Sequence, residues 1–477
     1  MNSSLLLIAV ILPMIGGLIV NFLKNRTLTK VVTFGFVLMT SIVLWFIILN
    51  GQIEDLTFLT FTSNLKLVFS PDKLGMFFAG IIATLWPFTT LYAFEYLEDD
   101  TRFNAFFLFF LLAYGVTAGI CLAGNIFTLY AFYELLTLTT FPLVMHDRTR
   151  EAIRASRLYL SLSIGGAAFA FASMMYVIMN GGVLERTWLT QLFYVAGFFG
   201  FGVKAAVFPL HFWLPKAGVA PTPVTALLHA VAVVKAGVFA IIRLTYCVYG
   251  VEVIKDSFAQ YIPMAFVLFT ILYGSTLAVK EIHVKRKMAY STVANLSYIL
   301  FGVMLLTDEG LSAGLLHMAF HAGFKILAFF AVGAVMHRNH RTWIFEYDGI
   351  AKKMPITFAC YTIAALALTG IPPLSGFVSK FSLLVAGINA DHVMGYAGCI
   401  VLLISALLTA VYSLTVVRRA YFPDREADLS YLDHCKEAGL EMTVPMVILA
   451  AGVIFCGLNA NLIVQATNLI VSTLMKW

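Results

Sequence analysis

The chain has 477 residues, of which 61% are hydrophobic and only 12% are charged, and its mean hydropathy is +0.90. Soluble domains carry about twice that share of charge, so a soluble globular protein is excluded. The net charge of +6 does not indicate nucleic-acid binding, because excess Lys and Arg in a membrane protein usually sets its topology. The six cysteines are scattered without a CxxC pair, so we expect no iron–sulfur or zinc site and no cofactor in this chain.

Apolar runs of about 20 residues recur along the whole chain, and each is long enough to cross a membrane as a helix. The predicted fold class is therefore an all-α polytopic membrane protein with about fourteen transmembrane helices. The predicted spans are 4–22, 31–49, 74–96, 104–123, 125–145, 154–179, 189–214, 221–249, 259–280, 288–306, 311–336, 355–387, 395–420 and 441–470. The first run lacks the basic flank of a signal peptide, so we interpret it as an uncleaved span.

Lys and Arg are concentrated in alternate short loops, and this distribution predicts the orientation of the chain. The cations of the predicted inner side include Lys24, Arg26, Lys30, Arg148, Lys280, Lys285, Arg286 and Lys287. This pattern places the N-terminus outside, and an even number of spans places the C-terminus outside as well.

Five ionisable residues lie inside the apolar runs: Glu134, Lys204, Lys235, Lys325 and Lys380. A charge at mid-bilayer costs about 3 kcal/mol or more, so such residues often mark ion or proton pathways. The alternative for the lysines is snorkelling of the amine to the interface, and for Glu134 it is a structural hydrogen bond. Because loss of water disfavours a charged lysine and a nearby carboxylate favours it, a Lys–Glu pair can load and release a proton.

The eleventh span carries a second polar cluster, in which His317, His321 and Lys325 are spaced by four residues. On a helix this spacing forms one stripe about 12 Å long. Titratable groups one turn apart are what a water-assisted proton relay needs. The alternative is a pair of satisfied histidines in the helix bundle, and a metal site is disfavoured because that face has no carboxylate or thiol.

Two spans combine an intramembrane lysine with proline breaks. The stretch Gly197–Leu244 contains Lys204, His229 and Lys235 and is interrupted by Pro209, Pro215, Pro221 and Pro223. The span 355–387 is interrupted at Pro372 and Pro373, shortly before Lys380. Broken spans in corresponding positions indicate two inverted five-helix repeats. We therefore divide the chain into an N-terminal three-helix segment (1–100), two repeats (101–250 and 251–420) and a C-terminal loop and helix (421–477).

Five motifs of this chain occur in the same order in a known family: LYAFYELLTL, the VKAAVFPLHFWLPKAGVAPTPVTALLHAVAVVKAGVF stretch, KRKMAYSTVANLSY, HMAFHAGFKILAFF and LTGIPPLSGFVSKF. The chain resembles the antiporter-like membrane subunits of respiratory complex I, multisubunit cation/proton antiporters and energy-converting membrane-bound hydrogenases. The resemblance implies proton translocation, with Glu134 paired to Lys204 and Lys235 as the central relay. It also implies that His317, His321 and Lys325 connect this relay to an exit-side Lys380.

The resemblance implies partners as well, namely the other membrane subunits of an antiporter, hydrogenase or complex I-like assembly in a prokaryotic cell membrane. Lys at position 380 is similar to antiporter D subunits, one of the complex I subunits and several hydrogenase subunits. Lys216 within WLPKA is similar to antiporter D subunits, whereas HDRTREAIRASRLYLSLSIGGA is similar to hydrogenase subunits. Protons are the expected transported ions, and Na⁺ is a second candidate. The expected chain is a non-catalytic, ion-translocating subunit of an oxidoreductase or antiporter complex.

Two other functions stay open from the residues alone. One is a redox subunit that binds quinone or haem, although His317 and His321 share one helix face and are poorly placed as two axial ligands of one haem. The other is a structural subunit that only anchors partners, for which buried lysines would be a cost without a use.

Overall fold

The computed structural model describes residues 3–51, 53–62, 65–424, 427 and 429–474. These residues are almost entirely helical. The helices are α1 Ser4–Phe22, α2 Arg26–Asn50, α3 Lys73–Tyr96, α4 Phe103–Cys121, α5 Ile126–Val144, α6 Arg150–Met179, α7 Trp188–Gly202, α8 Trp213–Ala217, α9 Thr222–Ala226, α10 Val233–Ile242, α11 Val251–Ile254, α12 Phe258–Lys280, α13 Val284–Met304, α14 Asp308–Asn339, α15 Pro355–Thr369, α16 Ser375–Asn389, α17 Val393–Tyr421, α18 Leu440–Leu458 and α19 Ala460–Leu474. The all-α polytopic class predicted from the sequence is confirmed.

Eleven helices in the described part of the chain are long and apolar enough to cross a membrane. Three further predicted spans coincide with α7–α8, α13 and α15–α16, which are either interrupted or rich in charge near one end. The last predicted span, 441–470, is divided into α18 and α19. Fourteen crossings, the inverted repeats and the fourfold division of the chain therefore stay predictions. The chain ends, 1–2 and 475–477, lie outside the described residues.

The seventh span is interrupted where α7 ends at Gly202. Val207 N–H donates to the Gly202 carbonyl at 3.1 Å, and the Trp213 indole N–H donates to the Val203 carbonyl at 2.7 Å. These bonds satisfy carbonyl groups that the end of a helix leaves free, which a membrane interior requires. The break lies before Pro209, as the sequence predicted for this region.

The eighth span is distorted in a different place from the one that its prolines suggested. Pro221 and Pro223 stand at the beginning of α9, where proline is compatible with a helix start, so they do not break this span. The distortion comes instead from two π-helical segments, Leu227–Val231 and Arg243–Tyr249. In the first, Ala232 N–H reaches back five residues to the Leu227 carbonyl at 2.8 Å. Single π turns inside α-helices frequently occur at functional sites.

The twelfth span is broken between α15 and α16, as predicted from Pro372 and Pro373. Gly370 ends α15 with φ +90°, a backbone conformation that side chains with a Cβ rarely adopt. Gly376 lies so close to the end of α15 that a Cβ there would stand 1.8 Å from the Ala367 carbonyl oxygen. The two glycines thus allow the two half-helices to approach each other closely.

The link between α2 and α3 contains structure that the sequence did not predict. It forms a small antiparallel sheet from β1 (Leu56–Thr60) and β2 (Lys66–Phe69). Leu56 pairs with Phe69 and Thr60 with Lys66, and the register shifts between Thr57 and Leu59. This pairing depends on contacts between two short segments, so local hydropathy gave no sign of it.

Two cations that were assigned to an inner loop are buried in the first turn of α13 instead. Lys285 Nζ donates to the Ala220 carbonyl, and Lys287 Nζ donates to the Ala278 carbonyl at 2.8 Å. Lys287 thereby neutralises the carbonyl end of α12. His283 caps α13, and burial lowers the pKa of its ring, which keeps Nδ1 neutral as an acceptor for the Arg286 backbone N–H at 3.5 Å.

Candidate functional site

The two most enclosed spans lie at the centre of the bundle. Every residue in the apolar window of Thr222–Tyr249 is buried inside the chain, and so is 89% of that of α14. They pack against each other through α9 and the first π segment. These spans carry five of the eight predicted relay residues: His229, Lys235, His317, His321 and Lys325. A residue here is shielded from lipid, so snorkelling to the interface is excluded for Lys235 and Lys325, both fully buried.

A direct hydrogen bond joins these two spans. Lys235 Nζ lies 2.7 Å from His321 Nδ1, and both side chains are completely buried. The two residues are 86 positions apart in the chain. A lysine and an imidazole nitrogen at this distance can share one proton, because the proton can reside on either nitrogen with little movement of the heavy atoms.

The next ionisable residue along α14 is His317, whose ring centre lies 5.9 Å from that of His321. His317 Nδ1 is 2.9 Å from the Ser379 hydroxyl, and His317 Nε2 is 3.3 Å from Asn295 Oδ1. The imidazole is thus held by α16 on one side and by α13 on the other. Since both ring nitrogens have partners, His317 offers no free nitrogen to a haem iron.

Lys380 follows Ser379 directly on α16 and is 7% exposed. Its Nζ donates to the carbonyls of Leu368 at 2.6 Å and Thr369 at 3.3 Å, at the end of α15. The ammonium therefore lies on the carbonyl end of a half-helix, where positive charge is favoured. It also lies 5.2 Å from the centre of the Tyr298 ring. Ser379 thereby links the histidine stripe to the second helix break through one residue.

Lys325, at the other end of the stripe from His317, lies near His229 of the eighth span. Lys325 Nζ lies 5.6 Å from the centre of the Phe329 ring, and the His229 ring lies 5.1 Å from the same ring. Neither Lys325 Nζ nor either nitrogen of His229 has a hydrogen-bond partner within the described residues. His229 belongs to the first π segment, so the helix distortion is what presents it towards α14.

The outer member of the predicted set, Lys204, lies just beyond the break after α7. It is fully buried, and its Nζ donates to the Tyr133 backbone carbonyl and lies 3.5 Å from the centre of the Tyr133 ring. Glu134 is the next residue, but no direct ion pair joins it to Lys204 among the described residues, and its Oε1 has no hydrogen-bond partner. The two charges nevertheless lie close enough to interact electrostatically, so the pairing implied by the family resemblance stays a prediction.

Close backbone packing places the Lys204 segment against the eighth span. A Cβ at Gly237 would stand 2.4 Å from Ala205 N and 2.8 Å from the Lys204 carbonyl carbon. Gly237 is two residues from Lys235, so the absence of a side chain there lets the helix carrying Lys235 touch the break carrying Lys204. The structure thus arranges the predicted residues as Glu134 and Lys204, then Lys235 and His321, then His317 and Lys380, with Ser379 between the last two.

Several buried polar atoms of this arrangement lack partners in the part of the chain that the structure describes: Glu134 Oε1, both nitrogens of His229, His321 Nε2 and Lys325 Nζ. Leaving a buried polar atom unpaired costs about 1–3 kcal/mol, so such atoms normally bind water. Four of these five atoms lie on the eighth span and α14, at the centre of the bundle.

The sequence did not identify three neighbours that complete the site: Asn295, Ser379 and Phe329. The only available signal was the run of hydroxyl and amide residues in AYSTVANLSY, which contains Asn295. Ser379 and Phe329 carry no local signal, since serine and phenylalanine are ordinary in membrane helices. Among the described residues, no three His, Cys, Asp or Glu side chains are grouped so that they could hold a metal ion.

This fold, with ionisable residues lined up through the centre of a helical bundle and two broken spans, defines an antiporter-like membrane subunit. Residues 123–409 match the family described as NADH:quinone oxidoreductase/Mrp antiporter, transmembrane, and the chain belongs to that family. The matched segment contains all eight predicted relay residues.

Two curated relatives illustrate the range of this family. The chain is 33% identical over 400 residues to NADH-quinone oxidoreductase subunit N of Desulforudis audaxviator, which covers 77% of each chain. It is 29% identical over 506 residues to Na(+)/H(+) antiporter subunit A1 of Staphylococcus aureus. That alignment covers 97% of this chain and 62% of the antiporter subunit, so the chain spans less than two thirds of the length of that relative.

Two solved structures share the fold. One is the Mrp complex from Dietzia sp. DQ12-45-1b, with a TM-score of 0.87, 22% identity and coverage of 99% of this chain and 97% of that chain. The other is the membrane-bound sulfane sulfur reductase, an archaeal respiratory membrane complex, with a TM-score of 0.86, 23% identity and coverage of 100% and 99%. At these identities the likeness concerns the fold alone.

Proposed function

We propose that this chain translocates protons as one membrane subunit of a larger ion-pumping complex. The observation that carries the proposal is the 2.7 Å contact between Lys235 and His321. It joins two fully buried ionisable groups on different spans. A purely structural subunit gains little from such a pair, because burying ionisable groups costs several kcal/mol that apolar packing would avoid.

In the proposed path, a proton held near Glu134 and Lys204 is passed to Lys235 across the contact that Gly237 allows. Lys235 and His321 share it, and rotation of the His321 ring or an intervening water delivers it to His317. Ser379, which touches His317 at 2.9 Å, relays it towards Lys380. Because like charges repel strongly where the dielectric is low, protonation at one end changes the proton affinity at the next. Once an external event protonates one end of this series of residues, the coupling drives proton transfer towards the other end.

The family relationship supports the presence of partner subunits. The exposed surface around Glu134 supports the location of one of them. Glu134 is only partly buried within the chain, and its neighbours Leu135 and Leu138 are 41% and 60% exposed. A carboxylate at mid-span facing lipid is unfavourable. In the proposed assembly a neighbouring membrane subunit covers this face of α5 and completes the surroundings of Glu134.

Two kinds of complex, which differ in their energy source, are candidates for the assembly that contains this chain. A redox module, such as that of a hydrogenase or a complex I-like enzyme, would drive proton pumping, whereas a set of small antiporter subunits would exchange Na⁺ for protons. Both relatives belong to such assemblies by name, one a NADH-quinone oxidoreductase and one a Na(+)/H(+) antiporter. We place the chain in a prokaryotic plasma membrane with both termini outside and with no cofactor of its own.

The test is proton transport by the reconstituted complex in vesicles, with Lys204→Ala and Glu134→Ala as separate variants. Each is expected to lower transport by tenfold or more, because each removes one ionisable group from the row. The complex should stay assembled, because within the described residues the only hydrogen bond lost is the one from Lys204 to the Tyr133 carbonyl.

Lys255→Ala is the matched control, since Lys255 is exposed and lies in a loop outside the path. It should transport protons at the rate of the unaltered complex. Full transport by both the Lys204 and Glu134 variants would contradict the proposal and would favour an anchoring role.

A further inference from the structure

A basic cleft lies at one end of the bundle, away from the proposed proton path. It has a volume of about 590 Å³ and is formed by the turn between α1 and α2, the segment before α4, and the turn between α5 and α6. Four basic residues line it, namely Lys24, Arg26, Arg102 and Arg148, with Asp100 as the one lining carboxylate.

Both carboxylate oxygens of Asp100 already have hydrogen-bond partners. Its Oδ2 lies 2.8 Å from His146 Nε2, and its Oδ1 accepts the Arg102 backbone N–H at 2.6 Å. Asp100 therefore does little to neutralise the four cations of the cleft. The clustering of these cations is unfavourable unless an anion joins them.

Two of the cations shape the cleft and two remain available. Arg26 donates to the carbonyls of Leu97 and Asp100, at 3.0 and 2.6 Å, and so ties the start of α2 to the segment before α4. Arg102 likewise donates to the His146 carbonyl. In contrast, the side chains of Lys24 and Arg148 are exposed, and neither forms an ion pair in the described ranges of the chain. They are free to bind an anion within a rigid frame.

The cleft adjoins a lipid-facing surface. It lies where α1 ends and α2 begins, and both are membrane-spanning helices. Phe22, Leu28 and Val31 beside it are 80%, 48% and 64% exposed. Apolar side chains continue along the same two helices into the membrane, including the exposed Ile15, Leu18 and Ile19 of α1. A phosphate group in the cleft would thus have an apolar surface next to it for acyl chains.

We propose that this cleft binds the phosphate of an anionic phospholipid, with Lys24 and Arg148 as its contacts and the acyl chains along the exposed faces of α1 and α2. Basic pockets at the membrane boundary recognise anionic headgroups in this way. A free phosphate would use the same cations but would gain nothing from the apolar surface. The inference does not depend on the proposed proton path, because no residue of the cleft belongs to it.

The test is lipid binding to the purified whole complex, measured by native mass spectrometry with phosphatidylglycerol and with zwitterionic phosphatidylcholine. The unaltered complex should retain phosphatidylglycerol preferentially. The double variant Lys24→Gln/Arg148→Gln should bind it about tenfold to thirtyfold more weakly, as each basic residue at a membrane surface contributes about 1 kcal/mol.

The matched control is Arg154→Gln/Lys353→Gln, which removes two exposed cations on the same predicted side but outside the cleft. An equal loss in this control would show general attraction to the basic surface and would overturn the site. Equal retention of phosphatidylcholine, or displacement of the lipid by millimolar inorganic phosphate, would overturn it as well.

A second measurement uses the unaltered complex and so is independent of folding in the variants. Phosphatidylglycerol with a photoreactive headgroup should crosslink to peptides containing Lys24 or Arg148. Crosslinks that are absent from these peptides but present elsewhere on the chain would contradict the proposal.

Discussion

Single side chains decide how the buried ionisable residues are connected. Lys235, His317 and His321 can each be recognised from the sequence, because ionisable groups are rare in apolar spans. Their partners cannot, since Asn295 and Ser379 are ordinary polar residues of membrane helices. In the structure these partners hold the His317 ring from two sides, at 3.3 and 2.9 Å. A ring held in this way presents its nitrogens in fixed directions, which a proton relay requires.

Ser379→Ala tests this connection at the residue scale. Loss of the hydroxyl leaves His317 Nδ1 without its partner and interrupts the link towards Lys380, so proton transport in vesicles should fall about tenfold, equivalent to about 1.4 kcal/mol. Ser382→Ala is the control, because the Ser382 hydroxyl donates only to the Val378 carbonyl of its own helix. Equal transport rates in the two variants would contradict a relay through Ser379.

The broken and distorted helices are the elements that position the ionisable groups. The α7 break carries Lys204, the first π segment carries His229, and the contact of α15 with α16 seats Lys380 on two free carbonyls. Prolines predicted the break after α7 and the break between α15 and α16. In the eighth span they suggested the wrong position for the distortion. The π segment contains no proline or glycine, so only the packing of this span among its neighbours reveals it.

Gly376→Ala tests the α15–α16 break. The new Cβ would stand 1.8 Å from the Ala367 carbonyl oxygen, so the half-helices must separate, at a cost of about 1–3 kcal/mol. The melting temperature of the purified complex should fall by several degrees. Lys380 should also lose its hydrogen bonds to the Leu368 and Thr369 carbonyls, so proton transport should fall. Gly35→Ala is the control, because a Cβ there meets nothing within 4 Å. Similar melting temperatures for both variants would show that the close approach is not needed.

At the scale of the whole molecule, an ion pair between the buried Arg243 and the half-buried Asp72 links the N-terminal helices to the central span. The Arg243 guanidinium contacts both carboxylate oxygens of Asp72, with NH1 2.6 Å from Oδ2. Asp72 also caps α3 by accepting the Gly75 N–H at 3.1 Å. Arg243 begins the second π segment, so the pair links the start of α3 to the span that carries Lys235. Nothing in the local sequence around either residue indicates a pair separated by 171 residues.

Arg243→Met is expected to destabilise the complex by about 2 kcal/mol, because it leaves the partly buried Asp72 carboxylate without its counter-charge. Asp72→Asn/Arg243→Met should recover part of this loss, since Asn also caps a helix and carries no charge. Thermal unfolding in detergent measures both. Arg418→Met removes an exposed ion pair with Asp424 and should change stability by less than about 1 kcal/mol. A double variant no more stable than Arg243→Met would contradict an electrostatic role for the pair.

The sequence by itself determined the membrane class, the approximate positions of the helices and which ionisable residues lie inside the apolar spans. These follow from hydropathy and from the cost of charge in an apolar run, and both are properties of a local segment. Only the tertiary structure decided that Lys235 bonds His321, that Lys204 donates to the Tyr133 carbonyl, and that Lys285 is buried. These depend on contacts between segments far apart in the chain. Hydropathy measures how each segment partitions from water, and it carries no information on which segments become neighbours.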